Sequence, residues 1–213
     1  MVSMTGRLCL QGGREFTADC VDMDRAVIER SSASVVAVIA GAARIGSDYD
    51  GASDRARRYY SGLRVDVVVV PDPRLDVDRS VDTLIDSIDL VVLPGGSPTR
   101  LLEVLSGPIG DRLHAMHESG ATISGASAGA MVLCTHMVRP DRGGDIVEGL
   151  GLVDGVALPH WSPGTSRWNV PDSETLWGLP ECGGVLIDGA QCTGIGQGAA
   201  SVRRNGEWTI VPR

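Results

Sequence analysis

A chain of 213 residues with 43% apolar and 22% charged residues can build a full core, and its charged fraction argues against disorder. Its formal net charge of −8 argues against nucleic acid as a partner, because a phosphate backbone selects a basic face. No apolar run approaches the roughly 18 residues needed to span a bilayer, which argues against a membrane partner. The amino terminus, MVSMTGRLCLQGGREF, lacks the basic start and long apolar core of a signal peptide. Five scattered cysteines (Cys9, Cys20, Cys134, Cys182 and Cys192) without a C-x-x-C read as reduced thiols of a cytoplasmic protein.

In chain order, SVVAVIAG (34–41), VDVVVVP (65–71) and IDLVVLPGG (88–96) are nearly continuous in Val, Ile, Leu and Ala. Such runs suit strands buried on both faces. Between them, 51–63 reads as a helix ended by Gly62, and 78–88 as a shorter helix opened by Asp78. Strand alternating with helix predicts βαβ units around a parallel sheet. After LPGG, Ser97 is placed to cap a helix beginning at Pro98. A further helix carries Ile109, Leu113 and Met116 on one face and ends at Gly120.

The segment SGASAGAMVL (124–133) follows, with a strand expected to end before Ser127 and a helix expected over 128–138. Downstream, GVALPHW (155–161) reads as a short strand and 162–181 as an irregular loop. Residues 183–212 read as strands with an Asn205–Gly206 hairpin turn. No repeat or linker divides the chain, so residues 1–213 are expected to form one α/β domain.

The chemistry centres on G-A-S-A-G. A serine on a tight strand-to-helix turn is the pattern of a nucleophile elbow, although a chain with 28 glycines also makes such turns for purely structural reasons. The Ala128 amide, first in the following helix, would supply one arm of an oxyanion hole. The loop Pro94–Ser97, at the end of another expected strand, is placed to supply a second arm.

Of four histidines, His160 ends a strand-like run and begins a loop, the usual place for a catalytic base. His114 and His117 sit on the helix before the serine strand, without the acidic or cysteine partners a metal would need. His136 is expected near the far end of the elbow helix. An orienting acid would come from Asp141 or Asp145, with Glu148 and Asp154 as weaker options. The stretch GIGQGA (194–199) fits G-x-G-x-x-A, but it precedes a hairpin and reads as a turn. There is no P-loop and no H-E-x-x-H.

Taken in order, LPGGSPTRLL, GASAGAMVL and GLGLVDGVALPHW resemble the serine peptidases of the dipeptidase E and cyanophycinase family, over about Gly6 to Ile187. The resemblance implies a class I glutamine amidotransferase-like fold. This is a three-layer α/β sandwich on a mostly parallel sheet, here with a carboxyl-terminal β-hairpin. It further implies Ser127 as nucleophile, His160 as base and Asp141 as acid, with Asp145 close behind. Gly96 and Ala128 would be the oxyanion donors.

Substrate contacts are expected from Ser97, where family members often carry Asn or Gln, and from Arg167 in the segment after the histidine. The implied activity is hydrolysis of small peptides through an acyl-enzyme, without metal or organic cofactor, and a homodimer is open to such a chain. An esterase or thioesterase with the same triad, or a non-catalytic binding module, are the alternatives.

Overall fold

The computed structural model describes residues 5–164 and 168–213. The chain opens with a short strand, β1 (Leu8–Gln11), and a helix, α1 (Val21–Ser31). There follow β2 (Val35–Val38), α2 (Ser47–Gly62), β3 (Asp66–Val69), α3 (Val77–Thr83) and β4 (Leu90–Leu93). Next come α4 (Pro98–Leu105), α5 (Pro108–Glu118), β5 (Thr122–Ala126) and α6 (Ala128–Leu133). The last third is mostly strand: β6 (His136–Arg139), β7 (Asp145–Glu148), β8 (Val156–Leu158), β9 (Leu176–Gly178), β10 (Gly183–Asp188), β11 (Gln191–Gly196), β12 (Ser201–Arg204) and β13 (Glu207–Ile210).

The central sheet has the order β11-β10-β1-β5-β4-β2-β3. Strands β1 to β3 of that order are parallel, and β10 and β11 complete one edge in antiparallel fashion. Alternate residues of each strand feed opposite cores, which explains the nearly continuous apolar runs. Leu8, Leu10, Ala37, Val91 and Leu93 pack with residues of α4, α5 and α6. Cys9, Val36, Val38 and Val92 pack with Met23 and Val27 of α1 and with Ala56 and Tyr60 of α2. Three layers result, as the family resemblance implies. A second sheet, β13-β12-β9-β8, lays Val156, Leu158, Trp177 and Val202 into the core that α6 shares, and β6 pairs with β7 alone.

Several boundaries differ from the sequence reading, each for a local reason. Helix α6 stops at Leu133 instead of continuing to 138, because the next backbone amides are captured elsewhere. Thr135 N–H donates to Val153 O at 2.7 Å and His136 N–H to Gly155 O at 3.1 Å. His136 therefore lies on a strand, with Nδ1 3.3 Å from Glu174. The cap of α3 is Asp76, whose carboxylate accepts from Arg79 N–H, so Asp78 falls in the first turn. The loop expected over 162–181 contains β9, and α2 begins at Ser47. At the carboxyl end Asn205 and Gly206, at φ 51° and 81°, turn β12 into β13 as a two-residue hairpin.

The glycines flanking Ser127 set how closely α6 approaches the sheet. A Cβ at Gly125 would lie 2.3 Å from Gly129 C, and one at Gly129 would lie 2.1 Å from Leu93 O. The helix thus rests directly on the backbones of β5 and β4. Gly129→Ala must push the helix off β4 and is expected to cost about 2 kcal/mol, lowering Tm by roughly 4–8 °C. Gly51→Ala on α2, whose new Cβ would meet only Arg55 Nη1 at 3.8 Å, should leave Tm unchanged or raise it slightly. Thermal melts of the two variants beside wild type check both signs.

Candidate active site

The carboxyl ends of β1, β5 and β4 open onto one edge of the sheet, where open α/β sheets place their ligands. From β5 the chain reaches Ser127, whose φ of 50° and ψ of −106° lie outside the comfortable regions for a residue with a side chain. Its N–H donates to Gln11 O at 2.9 Å, and its carbonyl accepts from Met131 N–H at 3.1 Å. This pair of bonds bends the strand into the helix and turns Oγ outward.

Ser127 Oγ lies 3.1 Å from His160 Nε2. His160 also has a positive φ, 53°, and its N–H donates to Gly12 O at 2.9 Å. Its Nδ1 is 3.1 Å from Oε1 of Glu181. A carboxylate can only accept, so Nδ1 carries the proton and donates it to Glu181. In the neutral imidazole Nε2 is then a lone-pair acceptor for the serine hydroxyl. Both His160 and Glu181 are about half exposed, so water reaches the relay. Arg14 Nε, 3.9 Å from Glu181 Oε2, adds a cation beside the carboxylate.

The loop leaving β1 shapes this arrangement from beneath. Gly13, at φ 126°, leaves the space the imidazole uses, since a Cβ there would lie 2.3 Å from His160 Cε1. Its carbonyl accepts from Cys182 N–H at 3.0 Å, which fixes the residue next to Glu181. Below the loop the buried Gln11 side chain donates to Asp24 Oδ1 at 2.8 Å, and Tyr59 donates to Asp24 Oδ2 at 2.7 Å. Burial pushes the Asp24 carboxyl up to about 6 despite these donors.

The carboxylates expected from sequence lie elsewhere. Asp141 Oδ1 accepts from the Thr99 hydroxyl at 2.6 Å, which holds its carboxyl below the usual range. Asp145 forks with Arg139 and is lowered in turn. The physical reason is the shortness of α6: the chain enters the β6–β7 hairpin early, and that hairpin carries both aspartates. The carboxylate that meets His160 is Glu181. Its sequence signal was topological: β10 runs antiparallel to β1, so the residues just before β10 arrive at the edge where β1 ends.

The second loop carries Gly95 and Gly96. Gly95 abuts the serine, with an ideal Cβ 3.2 Å from Ser127 Cβ, and its N–H donates to Glu15 Oε1 at 2.7 Å. Gly96, at φ 143°, packs on Ala42. Ser97 caps α4 by accepting from Arg100 N–H at 3.2 Å, and it lines a cavity of about 400 Å³ with Arg44, Arg55 and Arg100. Arg167 lies outside the described residues.

All five cysteines are free thiols. Burial pushes Cys9 and Cys134 up to about 12, so neither is a thiolate at neutral pH. Among the described residues, no group of three or more His, Cys, Asp or Glu is placed to hold a metal. Nor is any helix among them long and apolar enough to cross a membrane.

The family model of peptidase family S51 matches residues 14–188. The chain belongs to peptidase family S51. It is a serine-type peptidase of the dipeptidase E family, as the motifs around Ser127 suggest. Two solved structures share the S51 chain's fold. A peptidase from an acI-B1 Actinobacterium aligns with TM-score 0.83 and 20% identity over 99% of this chain and 95% of its own. A putative peptidase E protein from Listeria monocytogenes EGD-e aligns with TM-score 0.70 and 15% identity over 91% of this chain and 100% of its own. No curated protein matches the sequence.

The contact between Gly13 and the His160 ring makes a specific prediction for this S51 peptidase. Gly13→Ala should displace the imidazole, since the new methyl meets the ring, and should cost some stability, since φ 126° is strained for a residue with a side chain. Peptide hydrolysis is expected to fall at least about tenfold, because small misplacements of a reacting group cost that much or more. The check is hydrolysis rate together with the His160 ring resonances in NMR. A shifted ring signal, with a melting curve lowered by the strain of a side chain at φ 126° but still cooperative, is the expected pair of readings.

Proposed function

We propose that the chain hydrolyses small peptides through an acyl-enzyme, with Ser127 as nucleophile, His160 as general base and Glu181 as the carboxylate that orients the imidazole. The observation that carries the reading is the continuous relay Ser127 Oγ to His160 Nε2 and His160 Nδ1 to Glu181 Oε1, both steps at 3.1 Å. Nε2 takes the hydroxyl proton as Oγ bonds to the scissile carbonyl carbon, and the carbonyl π pair moves onto oxygen. The Ala128 and Gly96 amides are the donors proposed for that oxyanion. The tetrahedral species then collapses, the C–N bond breaks, and the imidazolium gives its proton to the departing amine. Water repeats the sequence at the ester: His160 takes its proton, the acid product leaves and Oγ is reprotonated.

In this reading Asp141 has no part in the relay and belongs with Thr99 at the β6–β7 hairpin. Ser97 acts as a helix cap at the cleft wall, and Arg167 remains a proposed substrate contact. All five cysteines are free thiols, including Cys20 and Cys182, whose sulfurs lie 2.8 Å apart, and this fits the reducing, cytoplasmic setting that we include in the proposal.

Ser127→Ala is expected to lower hydrolysis of a dipeptide library by on the order of 10⁴–10⁶, with the fold kept, and a serine-reactive phosphonate should label wild type but not the variant. Full activity in folded Ser127→Ala would end the serine reading. A second comparison separates the carboxylates: Glu181→Gln should cut kcat by on the order of 10² or more with little change in KM, whereas Asp141→Asn should stay within about twofold of wild type. Steady-state kinetics on any dipeptide that wild type cleaves decides between them.

A further inference from the structure

One charged group beside Ser127 has no part in the relay. Glu15 follows Gly13 and Arg14 out of β1, and the segment holds three positive φ values in four residues: Gly13 at 126°, Arg14 at 60° and Phe16 at 63°. Such backbone is costly for residues with side chains, and it persists where the surrounding structure demands it. Its result is to deliver the Glu15 carboxylate to the Gly95 amide at 2.7 Å, against the glycine whose other neighbour is Ser127. Among the described residues Glu15 forms no ion pair, although Arg55 and Arg58 line the same cavity of about 520 Å³.

A fixed anion at this place works against the reaction as drawn. The tetrahedral intermediate puts negative charge on an oxygen next to the same loop, and a neighbouring carboxylate raises its energy. The conflict disappears when the substrate itself brings a cation close to the scissile carbonyl. A peptide cleaved after its first residue does so, because its α-nitrogen lies only about 2.5 Å from the carbonyl carbon. An ammonium there meets the carboxylate in a charge-assisted hydrogen bond and cancels its field at the oxyanion. An acylated amino terminus offers no charge and leaves the repulsion in place.

Resting on the serine-peptidase reading above, we propose that Glu15 is the specificity residue that makes this site require a free α-ammonium group on the residue whose carbonyl is attacked. The Gly95 amide holds the carboxylate in position before substrate arrives. The adjoining cavity receives the side chain of that first residue, with Phe16 and Tyr59 among its walls.

The test uses dipeptides that wild type cleaves, each free and N-acetylated, on wild type, Glu15→Gln and Glu15→Ala. Wild type should prefer the free form by at least about 10²-fold in kcat/KM. Glu15→Gln keeps an acceptor for the Gly95 amide but no charge, so it should lose tenfold or more on free dipeptides while holding or gaining on acetylated ones. Labelling of Ser127 by a neutral phosphonate should persist in both variants, which keeps this question apart from the identity of the nucleophile. Wild type that cleaves acetylated and free dipeptides equally overturns the proposal without any variant. So does a phosphonate-labelled Glu15→Gln or Glu15→Ala that keeps the wild-type preference. If Ser127→Ala retains hydrolysis, it is the serine reading that has failed.

Discussion

Three successive backbone carbonyls at the end of β1 hold the whole site together. Gln11 O takes the N–H of Ser127, Gly12 O that of His160, and Gly13 O that of Cys182, at 2.9, 2.9 and 3.0 Å. The three acceptors are consecutive, while the three donors come from distant parts of the chain. Each donor residue has a left-handed backbone, at φ 50°, 53° and 50°. Such conformations cost of order 1–3 kcal/mol each, and a buried hydrogen bond returns about 0.5–1.5 kcal/mol, so the bonds alone only partly offset the strain. The remainder comes from the packed sheet on either side. β1 is fixed between β5 and β10, and its Gln11 side chain is tied to Asp24 and Ser124 underneath.

This arrangement keeps the proposed relay aligned although it is half exposed. A histidine open to water on a mobile loop would sample many rotamers, and its time in reach of the serine would be short. Here the loop residue is pinned at its own amide, the ring fills the space above Gly13, and the far nitrogen is held by Glu181. Orientation is set by backbone and packing, so the open solvent face can serve for entry of peptide and water.

The legible and the hidden parts of the structure divide along a physical line. Local composition revealed the parallel strands, because burial on both faces demands uninterrupted Val, Ile and Leu, as in LVVL of β4. It also marked the tight strand-to-helix turn at Ser127, since glycine at 125 and 129 is the only residue type that lets α6 touch two strand backbones. The cap at Ser97 and the turn at Asn205–Gly206 were equally local. What stayed hidden depends on tertiary pairing. LCLQ of β1 is too short for a periodicity argument, and α6 ends where Val153 and Gly155 capture the amides of the following residues. Glu181 and Glu15 are ordinary loop carboxylates until β10 is known to run beside β1 and the β1 loop beside β4. Asp141 was favoured by its distance from the serine along the chain, which is a poor guide once a hairpin intervenes.

The anchoring carbonyls of β1 also order events during synthesis. Residues 11–13 leave the ribosome first, and Ser127 follows with the parallel core already complete behind it. His160 and Glu181 are made later, and Glu181 finds its place only when β10 docks antiparallel on β1. Long-range pairings of this kind form late. A nascent or partly degraded chain would therefore carry a serine on a sharp turn with nothing to take its proton. In the proposed mechanism, hydrolysis therefore waits until β10 has docked on β1.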